Sequence, residues 1–301
     1  MKNKSIAIEH IGLIIRPSVD HDALIIISNL IGWLIRRKKK VYLCPSKLGQ
    51  ITPFLKKNSN LIVPTEEKEI FKRSDLIVAL GGDGTFISTA RNIKKTNLPL
   101  LGINLGTLGF TTEFAKTEIY ETLEQVLKQK YQTYKLNLFK ASICNPNGKS
   151  NEYFFVNDVV IGRKDVSRLI NLSVSTSNEN IYNLKGDGLI VSSPLGSTAY
   201  SLAAGGPILH PESKSMVITP ICPHSLNFRP LVLPHDMKLK ISPLDQVEKI
   251  QITLDGQEAI EIPPGTHVSI EKSKKRPIEV VKNTEKTFFF TLRNKLTLGK
   301  K

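Results

Sequence analysis

Cysteine is scarce in this chain of 301 residues: Cys44, Cys144 and Cys222 are scattered and never spaced as C-x-x-C. That argues against a disulfide framework and against structural zinc, and it suits reduced thiols in a cytosol. The six histidines share no metal-ligand spacing with one another or with the cysteines, so no dedicated protein metal site is expected. A long hydrophobic run is missing too. The longest apolar stretch, Ala23 to Ile35, is interrupted by Ser28, Asn29 and Gly32 and followed by Arg36-Arg37-Lys38-Lys39-Lys40. It is too short to span a bilayer, and a secretory signal would carry its positive charge ahead of the apolar part. The stretch reads as a buried helix whose basic end complements the helix dipole. A cytoplasmic protein with no membrane partner is expected.

Acidic residues are outnumbered, 27 against 42 lysines and arginines, for a net charge of +15. The excess is spread along the chain, with clusters only at 36–40 and 272–276, and no aromatic residues interleave with the basic ones. A single-strand-binding groove would need them. The basic side chains therefore read as solvated, with no nucleic-acid partner, and their field favours anionic substrates such as nucleotides. A hydrophobic fraction of 40% and a charged fraction of 23% are ordinary for a soluble globular protein. The length exceeds the usual size of one core, so two domains are expected.

Up to about residue 134, apolar runs alternate with helix-like segments. Strands are expected at Ile11 to Ile15, Val41 to Leu43, Leu76 to Leu80 and Leu100 to Ile103, and helices at Asp22 to Lys39, Phe86 to Asn92 and Lys116 to Gln129. This pattern predicts an α/β amino-terminal domain, 1–134, with an open, mostly parallel sheet. From 135 to 283 short β-rich runs dominate: Tyr153 to Ile161, Ile170 to Thr176, Leu189 to Ser192, Lys238 to Ile241, Lys249 to Leu254 and His267 to Glu271, with Thr198 to Ala204 helical. That half predicts a β-rich, sandwich-like carboxyl-terminal domain.

Chemistry concentrates in two places. Gly81-Gly82-Asp83-Gly84-Thr85 follows the strand at 76–80 and precedes a helix. Glycines there let backbone approach a polyanion, and a helix start offers free N–H groups to phosphate. The dinucleotide fingerprint fails because Ile87 stands where the third glycine belongs, and a Walker loop fails because Ile143 replaces the glycine upstream of Gly148-Lys149-Ser150. Asp83, a carboxylate among groups that attract anions, suits a base or a metal ligand; a tight turn with Asp83 as helix cap is the bland alternative. The second place is Gly186-Asp187-Gly188 and the stretch through Ser192-Ser193-Pro194-Leu195-Gly196-Ser197-Thr198-Ala199-Tyr200 to Gly205-Gly206-Pro207. Its backbone and hydroxyl donors suit ribose and phosphate oxygens. Tyr200 could stack on a base or fill a core, Asp187 could form a turn, and Gly205-Gly206 could end a helix. His224, in a Pro-His-Ser loop, is an alternative base or a structural ring.

Taken together these segments closely resemble the NAD kinase family of the bacterial, ATP-dependent type. The match runs through Gly81 to Thr85, Gly102-Ile103-Asn104, Leu108-Gly109-Phe110, Asn157-Asp158, Gly186 to Pro211, Pro223 to Leu226, Arg229-Pro230-Leu231 and Asp255-Gly256-Gln257. The resemblance implies NAD bound between the two domains and transfer of a phosphoryl group from ATP, with Mg²⁺, to the 2′-hydroxyl of the adenosine ribose. It implies Asp83 as the catalytic carboxylate, with Gly82, Gly84 and Thr85 beside it on the nucleotide. It places Asn157 and Asp158 on the dinucleotide, Lys185 and Asp187 along its site, Thr198, Ala199 and Tyr200 on its adenine side, and Gln257 closing the pocket. It implies a homo-oligomer, dimer or tetramer, in which residues near Asp187 reach a neighbouring subunit's site. It also implies a carboxyl-terminal segment, 284–301, that packs back on the first domain. The chain departs from the family with Asp158 for a common Glu, Leu195 for Thr or Ser, and Ala203 for Ser. Lys185 resembles members restricted to nucleoside triphosphates rather than polyphosphate. A lipid kinase sharing the Gly-Gly-Asp-Gly loop and a nucleotide sensor without turnover are the rival readings.

Overall fold

The computed structural model describes residues 7–55, 59–95, 97–106, 109–146, 148–163, 169–245, 250–275 and 277–296. Leu108 of the loop motif, Lys249, Arg276 of the second basic cluster and 297–301 lie outside the described residues. The chain forms two compact units, Met1–Leu136 with Pro277–Lys301, and Asn137–Arg276.

In the first unit, strands β1 (His10–Ile15), β2 (Lys40–Leu43), β3 (Ile62–Pro64), β4 (Leu76–Gly81) and β5 (Leu100–Asn104) pair in parallel in the order β3-β2-β1-β4-β5. Helices α1 (His21–Arg36), α2 (Pro45–Ile51), α3 (Glu67–Arg73) and α4 (Asp83–Asn92) connect them. β4 is buried along its whole length, as strands covered on both faces are. α1 starts at Asp20, whose carboxylate accepts the Ala23 N–H at 2.8 Å, and it buries Ala23, Ile27, Leu30, Ile31 and Leu34 at helical spacing. It ends at Arg36, short of the expected Lys39. Lys38 adopts φ 59°, and the N–H groups of Lys38 and Lys39 turn back to the Ile35 and Leu34 carbonyls, which closes the helix in the left-handed manner.

The strand order reverses between β1 and β4: from β1 the chain moves out through β2 and β3, then returns to β4 and β5 on the other side. Loops leaving the carboxyl ends of β1 and β4 therefore diverge, and this is where open α/β sheets bind ligands. The short β6 (Phe114–Ala115) pairs with β5, and α5 (Ile119–Leu127) leads to β7 (Thr133–Leu136). A late strand, Ile278–Val281, lies between β5 and β7. The boundary expected at 283 puts these residues in the β-rich half; their apolar pattern fits either sheet, and only tertiary pairing chooses. After it, the Glu113 side chain accepts the Asn283 N–H at 2.7 Å, Lys286 pairs with Glu118, and α7 (Phe288–Leu296) follows.

The second unit has β8 (Phe139–Cys144), β9 (Ser150–Phe155), β10 (Asp158–Arg163), β11 (Ile170–Ser175), β12 (Asn180–Gly186) and β13 (Gly188–Ser192), then α6 (Tyr200–Ala203). It continues with β14 (Ser215–Ile221), β15 (Leu231–Pro234), β16 (Leu239–Pro243), β17 (Ile250–Leu254), β18 (Glu258–Ile262) and β19 (His267–Lys272), before Ile278–Val281 returns to the first unit as β20. Two six-stranded antiparallel sheets result, β15-β14-β13-β10-β17-β18 and β12-β11-β16-β19-β8-β9. One apolar cluster takes residues from both, among them Ile161, Val191 and Ile252 of the first and Leu172, Ile241 and Val268 of the second, the packing of a sandwich. The run expected as one strand, Tyr153 to Ile161, is split between the sheets. The chain turns at Val156-Asn157 because the Asp255 carboxylate collects the N–H groups of Val156 and Asn157 at 3.0 and 2.7 Å.

Candidate active site

In the first unit Gly81 ends β4, Gly82 is the cap of α4, and Asp83, Gly84 and Thr85 form its first turn. The expected loop is thus largely helix, with Asp83 as its first residue rather than its cap. Gly82 has open space where a Cβ would stand, with nothing within 4 Å. Such a cradle suits a phosphate approaching the helix start.

The Asp83 carboxylate is held from the far side by residues 110–112. Oδ1 accepts the Thr111 and Thr112 N–H groups at 3.1 and 3.0 Å and both threonine hydroxyls at 2.7 and 2.9 Å, while among the described residues Oδ2 accepts the Phe110 N–H alone, at 2.8 Å. Buried Asn104, at the end of β5, donates to the Thr112 hydroxyl at 2.8 Å and keeps it pointed at Asp83. Burial pushes the Asp83 carboxyl up, but the bonds from Thr111, Phe110 and Thr112 outweigh it and hold the group below the usual aspartate range. Asp83 is therefore a fixed anion with one oxygen lightly used. The two threonines escaped the sequence reading; their only signal is a Thr-Thr pair directly after Gly109-Phe110.

In the second unit Asn157 and Asp158 sit where β10 begins. Asp255 and Gly256, at φ 53° and 64°, open the three-residue turn, 255–257, between β17 and β18, an Asp-Gly pair of the kind that tolerates positive φ at both positions. From that turn the Asp255 carboxylate caps the 156–158 backbone. Asp158 is 3% exposed and accepts the Tyr200 N–H. Burial, and then the adjacent Asp255 carboxylate, push Asp158 up to about 7. The Asn157 side-chain oxygen is buried and meets no donor among the described residues. Gly196 packs so closely on Asn157 that a Cβ would lie 2.1 Å from its carbonyl oxygen. The segment 192–198 is further fastened by Ser193, whose hydroxyl donates to the Val156 carbonyl at 2.6 Å. Thr198 and Ala199 lead into α6, and Tyr200 is 47% exposed rather than core.

Asn157, Asp158, Tyr200 and the turn carrying Gln257 thus gather at one end of β10 and β13, where Asp158 pairs with Ser192. Lys185 and Asp187 do not join them. They flank the other end, where Gly188 pairs with Gly162, about 14 Å along the strands. Both are exposed; Asp187 accepts a bond from the Cys222 thiol, and the Lys185 carbonyl accepts the His224 N–H at 2.8 Å. A cavity of about 420 Å³ in the first unit, lined by Phe114, Glu121, Gln125, Tyr131 and Lys282 among others, includes none of the expected site residues. Among the described residues no helix is long and apolar enough to cross a membrane.

Family models match both parts of the chain: the ATP-NAD kinase N-terminal domain over residues 11–131 and the ATP-NAD kinase C-terminal domain over 156–282. The NAD kinase of Geotalea daltonii is 38% identical over 276 residues, covering 92% of this chain and 94% of the relative. The NAD kinase of Magnetococcus marinus is 35% identical over 288 residues, covering 95% and 92%. Among solved structures, yeast NADH kinase complexed with NADH superposes with a TM-score of 0.90 at 26% identity, covering 99% of this chain and 90% of that one.

Proposed function

The chain belongs to the ATP-NAD kinase family, and from that membership we infer how its residues divide the reaction. It is a phosphotransferase that moves the terminal phosphoryl group of ATP to the 2′-hydroxyl of the adenosine ribose of NAD, giving NADP. ATP enters as its Mg²⁺ complex, the cation offsetting charge on the donor phosphates. Gly82, Gly84 and Thr85 meet those phosphates at the start of α4. Asn157, Asp158, Thr198, Ala199, Tyr200 and Gln257 receive the dinucleotide: the buried Asn157 oxygen takes a donor from it, and the open Tyr200 ring lies against the adenine.

Asp83 accepts the hydrogen of the 2′-hydroxyl. Its lowered pKa makes it a weak base but an anion at every physiological pH. Phosphoryl transfer passes through a loose transition state, so the hydroxyl gives up its proton late, and placement of the acceptor matters more than basicity. The observation that carries this reading is the carboxylate tied through Oδ1 and left lightly engaged at Oδ2.

Lys185 and Asp187 flank the end of β13 away from Asp158, about 14 Å along the strands. In the reading proposed here they serve the site of a second copy, which makes the working enzyme a homo-oligomer. The cytoplasm, where both nucleotides are available, is its place of action. The test is NADP formation from NAD, ATP and Mg²⁺, followed through an NADP-specific dehydrogenase. Saturable NAD binding without product would replace the kinase by a sensor.

A further inference from the structure

We propose that Arg16 is a phosphate-binding residue for the donor nucleotide, an inference that rests on the phosphoryl-transfer reading above. Arg16 is the first residue beyond β1, and its N–H donates to the Leu80 carbonyl at 2.9 Å, carrying the β1–β4 ladder one step past the strand. It therefore stands directly across the point where the strand order reverses, the crevice in which open α/β sheets hold ligands. A Cβ on Gly81 would lie 3.0 Å from the Arg16 Cβ. The arginine thus departs from the backbone beside the glycines that lead into Asp83.

Its side chain is held ready. The guanidinium pairs with Asp20, and the other Asp20 oxygen is fixed by the Ala23 N–H at the start of α1. The side chains are 28% and 63% exposed, and an exposed pair of this kind contributes little to stability. It is a weak reason to bury part of a guanidinium, yet the Arg16 Nε is fully buried and meets no acceptor among the described residues. Lys47 donates to the Pro17 carbonyl and pins the loop that follows. A planar guanidinium with donors to spare matches the paired oxygens of a phosphate chain better than any other side chain. Two molecules in this reaction carry such oxygens, the triphosphate donor and the dinucleotide. Arg16 is assigned to the triphosphate because it borders the Gly82–Asp83 helix start within its own unit.

The experiment is steady-state kinetics on Arg16→Gln and Arg16→Lys, with KM measured separately for ATP and for NAD. The expected result is a rise of about tenfold or more in KM for ATP with Arg16→Gln, a smaller rise with Arg16→Lys, and an unchanged KM for NAD. An unchanged KM for ATP overturns the proposal, and so does a rise confined to NAD, which would move the contact to the dinucleotide pyrophosphate. Should Arg16→Gln fail to fold, Arg16→Lys carries the same two outcomes. Calorimetric binding of ATP to wild type and variant gives a readout independent of turnover. A wild type that binds ATP but makes no NADP refutes the kinase reading, while weaker ATP binding by the variant still upholds Arg16.

Discussion

A Cβ at position 109 would lie 1.8 Å from Oδ1 of Asp83, so the aspartate occupies the space that any other residue at 109 would need. The contact is what lets Phe110, Thr111 and Thr112 close over the carboxylate. Gly109→Ala is expected to displace Asp83, lowering stability by about 1–3 kcal/mol and turnover with it. Gly82→Ala makes the contrast, because nothing stands within 4 Å of its Cβ position. It should melt like wild type and raise only the KM for ATP. Thermal melts and kinetics on the two variants check this, and equal loss of stability in both would sink it.

Asp83→Asn keeps the shape but not the charge. Its amide nitrogen, if placed at Oδ2, would face the Phe110 N–H that now donates at 2.8 Å, and if placed at Oδ1 would face four donors. Loss of about 10² to 10⁴ in turnover is expected, with NAD binding retained in a calorimetric titration. Near-normal turnover would remove Asp83 from the reaction.

Stability should fall as pH rises toward 8. Glu113, 2.7 Å from the Asn283 N–H that it accepts, is pushed up to about 7 chiefly by burial, and Asp158 reaches about 7 through burial and Asp255. A carboxyl raised on folding contributes stability below its unfolded pKa and loses it as pH climbs through the folded value. Between about pH 5 and 8 the two together should cost a few kcal/mol. The lowered Asp83 acts in the opposite sense, but only in more acidic solution. Urea unfolding across that range tests the slope, and Glu113→Gln should reduce it; a flat profile in wild type would contradict the burial of both groups.

Local pattern made much of this molecule legible. The buried run at 76–80, the glycines after it and the Asp-Gly pair at 255–256 each announce their conformation, because strand burial, helix starts and positive φ have residue-level causes. Partner choice has no such cause. Nothing in Ile278-Glu279-Val280-Val281 says that it pairs with β5 and β7, and the break at Val156-Asn157 depends on a carboxylate 99 positions away. Thr111 and Thr112 carry little signal in the sequence for the same reason: their hydroxyls matter only once the fold brings Asp83 beneath them.

The separation of Asp187 from Asp158 along β13 leads to a prediction about assembly. Asp158 pairs with Ser192 at one end of the strand, and Asp187 precedes Gly188 at the other. If one subunit supplies the Asp158 end and its neighbour the Asp187 end, Asp158→Ala and Asp187→Ala should each abolish activity in a uniform assembly. Mixed assemblies contain some sites with both defects and some with neither, so refolding the two variants together should restore part of the NADP formation. The restored activity should vanish on dilution below the dissociation constant of the assembly and rise with the fraction of mixed oligomers seen by native mass spectrometry. Mixed oligomers that form and stay inactive would place both aspartates in one chain's site and sink the prediction.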